Sequence, residues 1–196
     1  MALDHPIVAE SFVIIDREIG DHGFSPAEYA IARRVIHATA DFEFAQLLRF
    51  SPDAIDAGQR ALRAKFPVVV DVRAIEMGVQ RLLSLTFQNE LLVAIAQRAK
   101  PGAGQTRTEA GLLQCAQEAP QGIYVIGNAP TALQALCGLI EAGQVNPALV
   151  IGVPVGFVAV SEAKAQLAAL SVPQINVQGR KGGSPVASAI LNALLV

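Results

Sequence analysis

The sequence predicts an α/β protein, three layers deep (α/β/α), on a mainly parallel sheet of about five strands. Three observations lead there. Short β-branched, apolar runs stand at residues 66–72, 123–126 and 148–151, as strands buried on both faces do, and a strand at 174–177 repeats the pattern with polar residues interleaved. Each of the last three passes through a turn marked by Gly or Pro into apolar residues at helical spacing. The stock of core residues is aliphatic: 52% of the chain is hydrophobic, aromatics are 5% and Trp is absent. Alternating strand and helix implies right-handed crossovers and helices on both sheet faces.

In chain order, residues 7–19 read as a first helix, ended by the segment 20–23. Ser25, Pro26 and Glu28 open a second: Ser as N-cap, Pro at the first position, Glu three residues on as in a capping box. It is expected to reach about Phe44, with Ala27, Ile31, Val35, Ala38 and Phe42 as its core stripe. His37 then lies roughly 200° from Val35, with Arg33, Arg34 and Asp41. Residues 49–52 read as a break, and 54–65 as a short helix. The first strand is 66–72, with Asp71 at its carboxyl end, a polar residue in an apolar run. A helix at about 74–82 follows, then a strand at 90–95 and a loop through Gly102 and Gly104. Thr106 to Glu109 open a helix to about residue 118. Strand 123–126, helix 130–142, strand 148–151, helix 161–170, strand 174–177 and helix 185–195 complete the chain. The turns after the last three strands are expected close together on one sheet edge, where open α/β sheets bind ligands.

At 196 residues the chain suits one domain, residues 1–196. Its 16% charged content is far from a disordered composition. A net charge of −2 gives no basic field for nucleic acid, so any anion binding is local. Cys115 and Cys137 stand outside any CxxC pattern, which suits core thiols in a reducing compartment. No signal peptide is visible and no apolar run reaches the ~18 residues of a membrane span. The expectation is a cytoplasmic protein with no membrane contact.

Several motifs carry chemistry. Gly102 and Gly104 form a lone GxG, weak as a dinucleotide fingerprint and read as a flexible loop. Gly179, Arg180, Lys181, Gly182, Gly183 and Ser184 lie between a strand and a helix. Two cations and the N–H groups of a helix capped by Ser184 fit an anion site; a glycine-rich turn with solvated cations fits equally. Thr106 and Arg107, at a helix start, fit either a carboxylate site or a cap with an exposed Arg. His5, near the terminus, and His22, in a turn, read as solvated. His37 is either a surface histidine or a general acid or base, since imidazole titrates near ~6.5. Asp41 lies within reach to hold its proton. No GxSxG, HExxH or metal-ligand cluster is present, so nucleophilic and metal chemistry rank low.

Taken together, RVIHA at 34–38, IGNAPTAL at 126–133, GVPVGFV at 152–158 with Glu162 and Lys164, and GRKGGS at 179–184 with Asn192 resemble the precorrin-8X methylmutase family of the corrin pathway. The resemblance runs in order from about Pro6 to Leu194. It implies a homodimer, without a cofactor or metal, that moves a methyl group from C11 to C12 of a tetrapyrrole by a 1,5-sigmatropic shift. The product would be hydrogenobyrinate, or its cobalt-containing counterpart. The family's catalytic histidine maps onto His37, as donor to a ring nitrogen. Ser11, Thr106, Arg107, Asn128, Ala129 and Thr131 match positions lining the pocket, and Gly179, Arg180, Lys181, Gly183 and Ser184 join them as substrate-binding residues. One departure stands out: the family pattern Asp-x-x-Met after the first strand is here Asp71, Val72, Arg73, Ala74. Two rival readings are a non-catalytic tetrapyrrole carrier of the same fold and a nucleotide-binding α/β domain.

Overall fold

The structure is a computed structural model that describes residues 6–196. His5 and the segment read for a signal peptide therefore lie outside the described residues. Nine α-helices, six strands and one 3-10 turn follow one another there: α1 (Pro6–Glu18), α2 (Pro26–Thr39), α3 (Phe44–Leu47), β1 (Leu48–Phe50), α4 (Ala54–Arg63), β2 (Val68–Val70), α5 (Arg73–Leu85), β3 (Leu91–Val93), the 3-10 turn (Ala94–Ala96), α6 (Arg107–Glu118), β4 (Ile123–Ile126), α7 (Pro130–Glu141), β5 (Leu149–Gly152), α8 (Val160–Ala168), β6 (Gln174–Val177) and α9 (Ser184–Leu194). The strands form one sheet in the order β1-β6-β5-β4-β2-β3. All neighbours are parallel except β1, which runs antiparallel to β6.

Period-two alternation splits the strand side chains between two aliphatic cores. Val68, Val70, Ile123, Val125, Leu149, Ile151, Ile175 and Val177 pack under residues of α1, α2, α4, α5 and α9. Val69, Tyr124, Ile126 and Val150 pack under α6, α7 and α8. The sheet thus carries helices on both faces, as the alternation of elements predicts. Cys115 and Cys137 are buried free thiols in the second core, and burial pushes them up to about 11 and about 12. Among the described residues, no helix is long and apolar enough to cross a membrane.

Strand order fixes where a ligand can enter. From β2 the chain moves to β3 on one side, then returns to β4 on the other. The crevice at the carboxyl ends of β2 and β4 is therefore the topological switch point, the usual ligand position of open α/β sheets.

The structure departs from the sequence reading in local ways. The break expected at 49–52 holds part of β1, a sixth strand of only three residues; an edge strand this short, followed by Pro52, leaves little periodicity to read. Helix α2 stops at Thr39 because Ala40 turns left-handed (φ 53°) while its N–H still bonds Ile36 O. The buried stripe of α2 is Ile31, Ala32, Val35 and Ile36, whereas Ala27 and Ala38 are exposed. Gly183, at φ 117°, holds the cap position of α9, and Ser184 is its first helical residue. The left-handed backbone there admits glycine without strain, which a serine cap would not.

Candidate active site

Asp71 organises the switch point. It follows β2, is fully buried, and accepts from the N–H groups of Gly127 (3.2 Å), Asn128 (2.7 Å) and Ala129 (2.8 Å) at the end of β4. Burial pushes its carboxyl up, against the pull of these N–H groups. The carboxylate thus fills the anion-binding position that a strand-to-helix turn offers. The backbone of Asn128 and Ala129 serves Asp71, leaving the Asn128 side chain exposed and Thr131 half-buried at the start of α7.

Thr131 meets Thr106 there, hydroxyl to hydroxyl, at 2.9 Å. Thr106 also caps α6 with a capping box to Glu109, so one residue orders the helix start and ties it to the next. Arg107, the first residue of α6, is exposed. The GxG segment is a turn closed by Gly102 N–H donating to Gln105 Oε1 at 2.9 Å.

The turns after β4, β5 and β6 are stitched together. Val153 N–H donates to Ile126 O (2.8 Å), Gly183 N–H to Val153 O (2.9 Å) and Gly156 N–H to Arg180 O (3.2 Å). Gly182, at φ 151°, passes so close to Val153 that a Cβ would sit 2.2 Å from its carbonyl oxygen. Gly183 N–H is thus taken within the protein, and so is Lys181. Its ammonium pairs with Asp41 (2.5 Å) and Glu43 (2.7 Å) beyond the end of α2. Of the two cations expected to form an anion site, Lys181 is thus paired with carboxylates, while Arg180 is exposed, its guanidinium 5.6 Å from the Phe157 ring centre.

His37 belongs to a second group, on α1 and α2. Its exposed imidazole meets the Phe12 ring edge-on at 5.5 Å. Arg33 and Arg34 also lie over Phe12, and Arg33 pairs with Asp16 at 3.0 Å. Ser11, next to Phe12, turns its hydroxyl back to Ile7 O. The expected Asp41–His37 pair does not form. Asp41 lies past the left-handed turn at Ala40, where Lys181 and Glu43 N–H engage it and hold its carboxyl below the usual range. The Lys181–Asp41 pair is also the link from the sheet edge to the end of α2. No hydrogen bond or ring contact joins His37 to Thr106, Arg107, Asn128, Thr131 or Arg180 among the described residues. His22 stacks on Tyr29 at 4.2 Å.

Sequence reasoning gave no role to Lys164, although its motif carried the residue. It is 3% exposed and donates to Gly179 O (2.9 Å) and Lys181 O (2.6 Å). Burial lowers it to about 8. A signal was present: Val160, Ala163, Lys164 and Leu167 share the buried face of α8, so a lysine stands in an apolar stripe. A cavity of 790 Å³ opens beside it between β1, β6 and α8, lined by Arg49, Gln174, Gln178 and Gly179 among others. Arg73 opens α5 beside Asp71, exposed and 3.4 Å from Glu76. Among the described residues, no group of three or more His, Cys, Asp or Glu could hold a metal ion.

A mainly parallel sheet whose carboxyl edge gathers hydroxyls, exposed arginines and glycine turns defines a class: an open α/β protein with a crevice at its switch point, the usual ligand position of such sheets. Comparison with known proteins narrows the class. The family model described as precorrin-8X methylmutase matches residues 6–196. A cobalt-precorrin-8 methylmutase of Synechocystis is 52% identical, over 99% of this chain and 96% of its own. A precorrin-8X methylmutase of Pseudomonas aeruginosa is 39% identical, over 96% and 93%. The crystal structure of the precorrin-8X methylmutase of Thermus thermophilus superposes with a TM-score of 0.89 at 46% identity, covering 97% of this chain and 96% of that one. The chain belongs to the precorrin-8X methylmutase family. It is accordingly an isomerase of cobalamin biosynthesis, one that catalyses a methyl shift, and the carrier reading is not favoured.

Proposed function

We propose that the chain moves the methyl group from C11 to C12 of precorrin-8X, or of cobalt-precorrin-8, by a 1,5-sigmatropic shift assisted by His37 acting as an acid. The observation that carries the assignment of His37 is its placement: an exposed imidazole, ring edge on Phe12, with no side-chain partner among the described residues to consume its proton. Donation of that proton to a ring nitrogen drains electron density from the conjugated system. The methyl group then migrates with its bonding electrons, and the proton returns to the imidazole. An isomerisation within one molecule needs positioning and one donor rather than a nucleophile. The macrocycle is large and flat and carries peripheral carboxylates. Arg107 and Arg180 would take carboxylates, and Asn128 and Thr131 would line its edge, with Ser11 on the His37 side. Both metal-free and cobalt-containing substrates occur in the names of the relatives, and either fits this reading. The whole chain is read as one catalytic domain, working as a homodimer in the cytoplasm.

The test is His37→Ala. Loss of a positioned acid is expected to lower kcat by roughly 10²–10⁴-fold, while the corrin product still binds and shifts the absorbance spectrum. Normal turnover by this variant would remove His37 from the mechanism.

A further inference from the structure

The backbone around Arg180 is fixed at every carbonyl. Gly179 O and Lys181 O, on either side of it, both accept from the ammonium of Lys164. Arg180 O accepts from Gly156 N–H. Lys181 is further held through its side chain by Asp41 and Glu43. The segment presents the Arg180 side chain to a ligand, exposed and beside the exposed Phe157. Among the described residues Lys164 has no carboxylate partner. A lysine 3% exposed whose ammonium donates to two carbonyls rather than a carboxylate among the described residues is a costly arrangement, because burial disfavours its charge. Its donors converge on the peptide groups that flank a single arginine.

We propose that Lys164 is a positioning residue for substrate binding: by clamping the carbonyls of Gly179 and Lys181 it sets the backbone from which Arg180 meets a substrate carboxylate. This rests on the reading of Arg180 as a substrate-binding residue. A guanidinium held in place binds a carboxylate without first ordering the loop that carries it. The clamp acts on binding rather than on the methyl shift, which the proposed mechanism assigns to His37.

The experiment measures kcat and KM for precorrin-8X with four variants: Lys164→Gln, Lys164→Arg, Arg180→Gln and Gly179→Ala. Arg180→Gln tests the underlying reading and is expected to raise KM about tenfold, the loss of one charge-assisted contact. Lys164→Gln is expected to raise KM by a similar factor with kcat within about twofold. In an Arg180→Gln background it should add nothing, since the residue it positions is gone. Lys164→Arg, which keeps a charged donor, should recover part of the loss. Should the Lys164 variants fail to fold, Gly179→Ala disturbs the same clamp from the loop side. Gly179 is left-handed at φ 70° with open space around its Cα, so an added methyl strains the backbone without a clash, and KM should rise with kcat kept. An unchanged KM for Arg180→Gln overturns the binding reading and this inference with it. A raised KM for Arg180→Gln with an unchanged KM for Lys164→Gln, or for Gly179→Ala where that is the variant that folds, overturns the clamp alone. A fall in kcat equal to the rise in KM also overturns it.

Discussion

Two turns at the carboxyl edge of the sheet are held from beneath by buried charges of opposite sign. After β4 the anchor is Asp71, which gathers three N–H groups from residues 127–129. After β6 it is Lys164, which gathers the carbonyls of Gly179 and Lys181. An acid therefore satisfies the donors of one turn, and a base the acceptors of the other. The anchors differ in what they leave outside. Asp71 uses the backbone that a ligand anion would otherwise occupy, so that turn presents side chains, Asn128 and Thr131. Lys164 uses carbonyls that no anion would seek, so its loop still presents a cation, Arg180.

The largest expected effect falls on the first anchor. Asp71→Asn turns one acceptor into a donor that faces backbone donors in a sealed site. A buried, unsatisfied group of this kind is expected to cost about 3 kcal/mol of folding stability, read from urea unfolding. Lys164→Met should cost less, about 1–2 kcal/mol, because Gly179 is exposed and its carbonyl can turn to water. Equal losses at both sites would erase the distinction between a sealed anchor and an open one.

The opposite charges also titrate with opposite signs. Burial raises Asp71, so its contribution is complete below the ordinary carboxylate range and is lost as pH rises through the folded value. Burial lowers Lys164 to about 8, against ~10.4 for an unfolded lysine. Between those values the unfolded chain keeps a proton that the folded chain has released, so stability rises with pH across that window. The gain attributable to Lys164 is on the order of 3 kcal/mol. It is measured as the wild-type minus Lys164→Met difference in urea unfolding at pH 7.5 and pH 10.5. A constant difference would mean that the ammonium is not desolvated as its burial implies.

The two anchors were not equally legible. Asp71 interrupts a valine run at a strand end, so the sequence marks it even without its partners. Lys164 sits among alanines on a short helix, where a lysine ordinarily snorkels to water; only the face it shares with Val160, Ala163 and Leu167 betrays it. Strands β4 and β6 are plain in sequence because runs buried on both faces need no partner to be recognised. The edge strand β1 is not, since three residues show no period and its pairing to β6 is long-range. Pairings across the chain stayed hidden for the same reason. Asp41 lies four residues from His37 and invited a helical pair, but a left-handed Ala40 carries it to Lys181, a residue distant in sequence. The motifs gave the list of site residues; tertiary contacts decide which have their donors and charges already engaged.

The smallest effect sharpens the comparison most. Thr131→Val removes the Thr106–Thr131 hydroxyl contact and leaves the Asp71 bonds to residues 127–129 untouched. A single part-exposed hydrogen bond is expected to contribute about 0.5–1 kcal/mol, so unfolding should barely move. If the turn after β4 holds the substrate edge through its side chains, KM should nonetheless rise roughly threefold to tenfold, with kcat kept. If both stability and KM stay at wild-type values, the turn is scaffold alone and recognition passes to Arg107 and Arg180. That outcome would leave Asp71 as the anchor of a supporting turn and Lys164 as the anchor of a binding one, two devices of the same design set to different tasks.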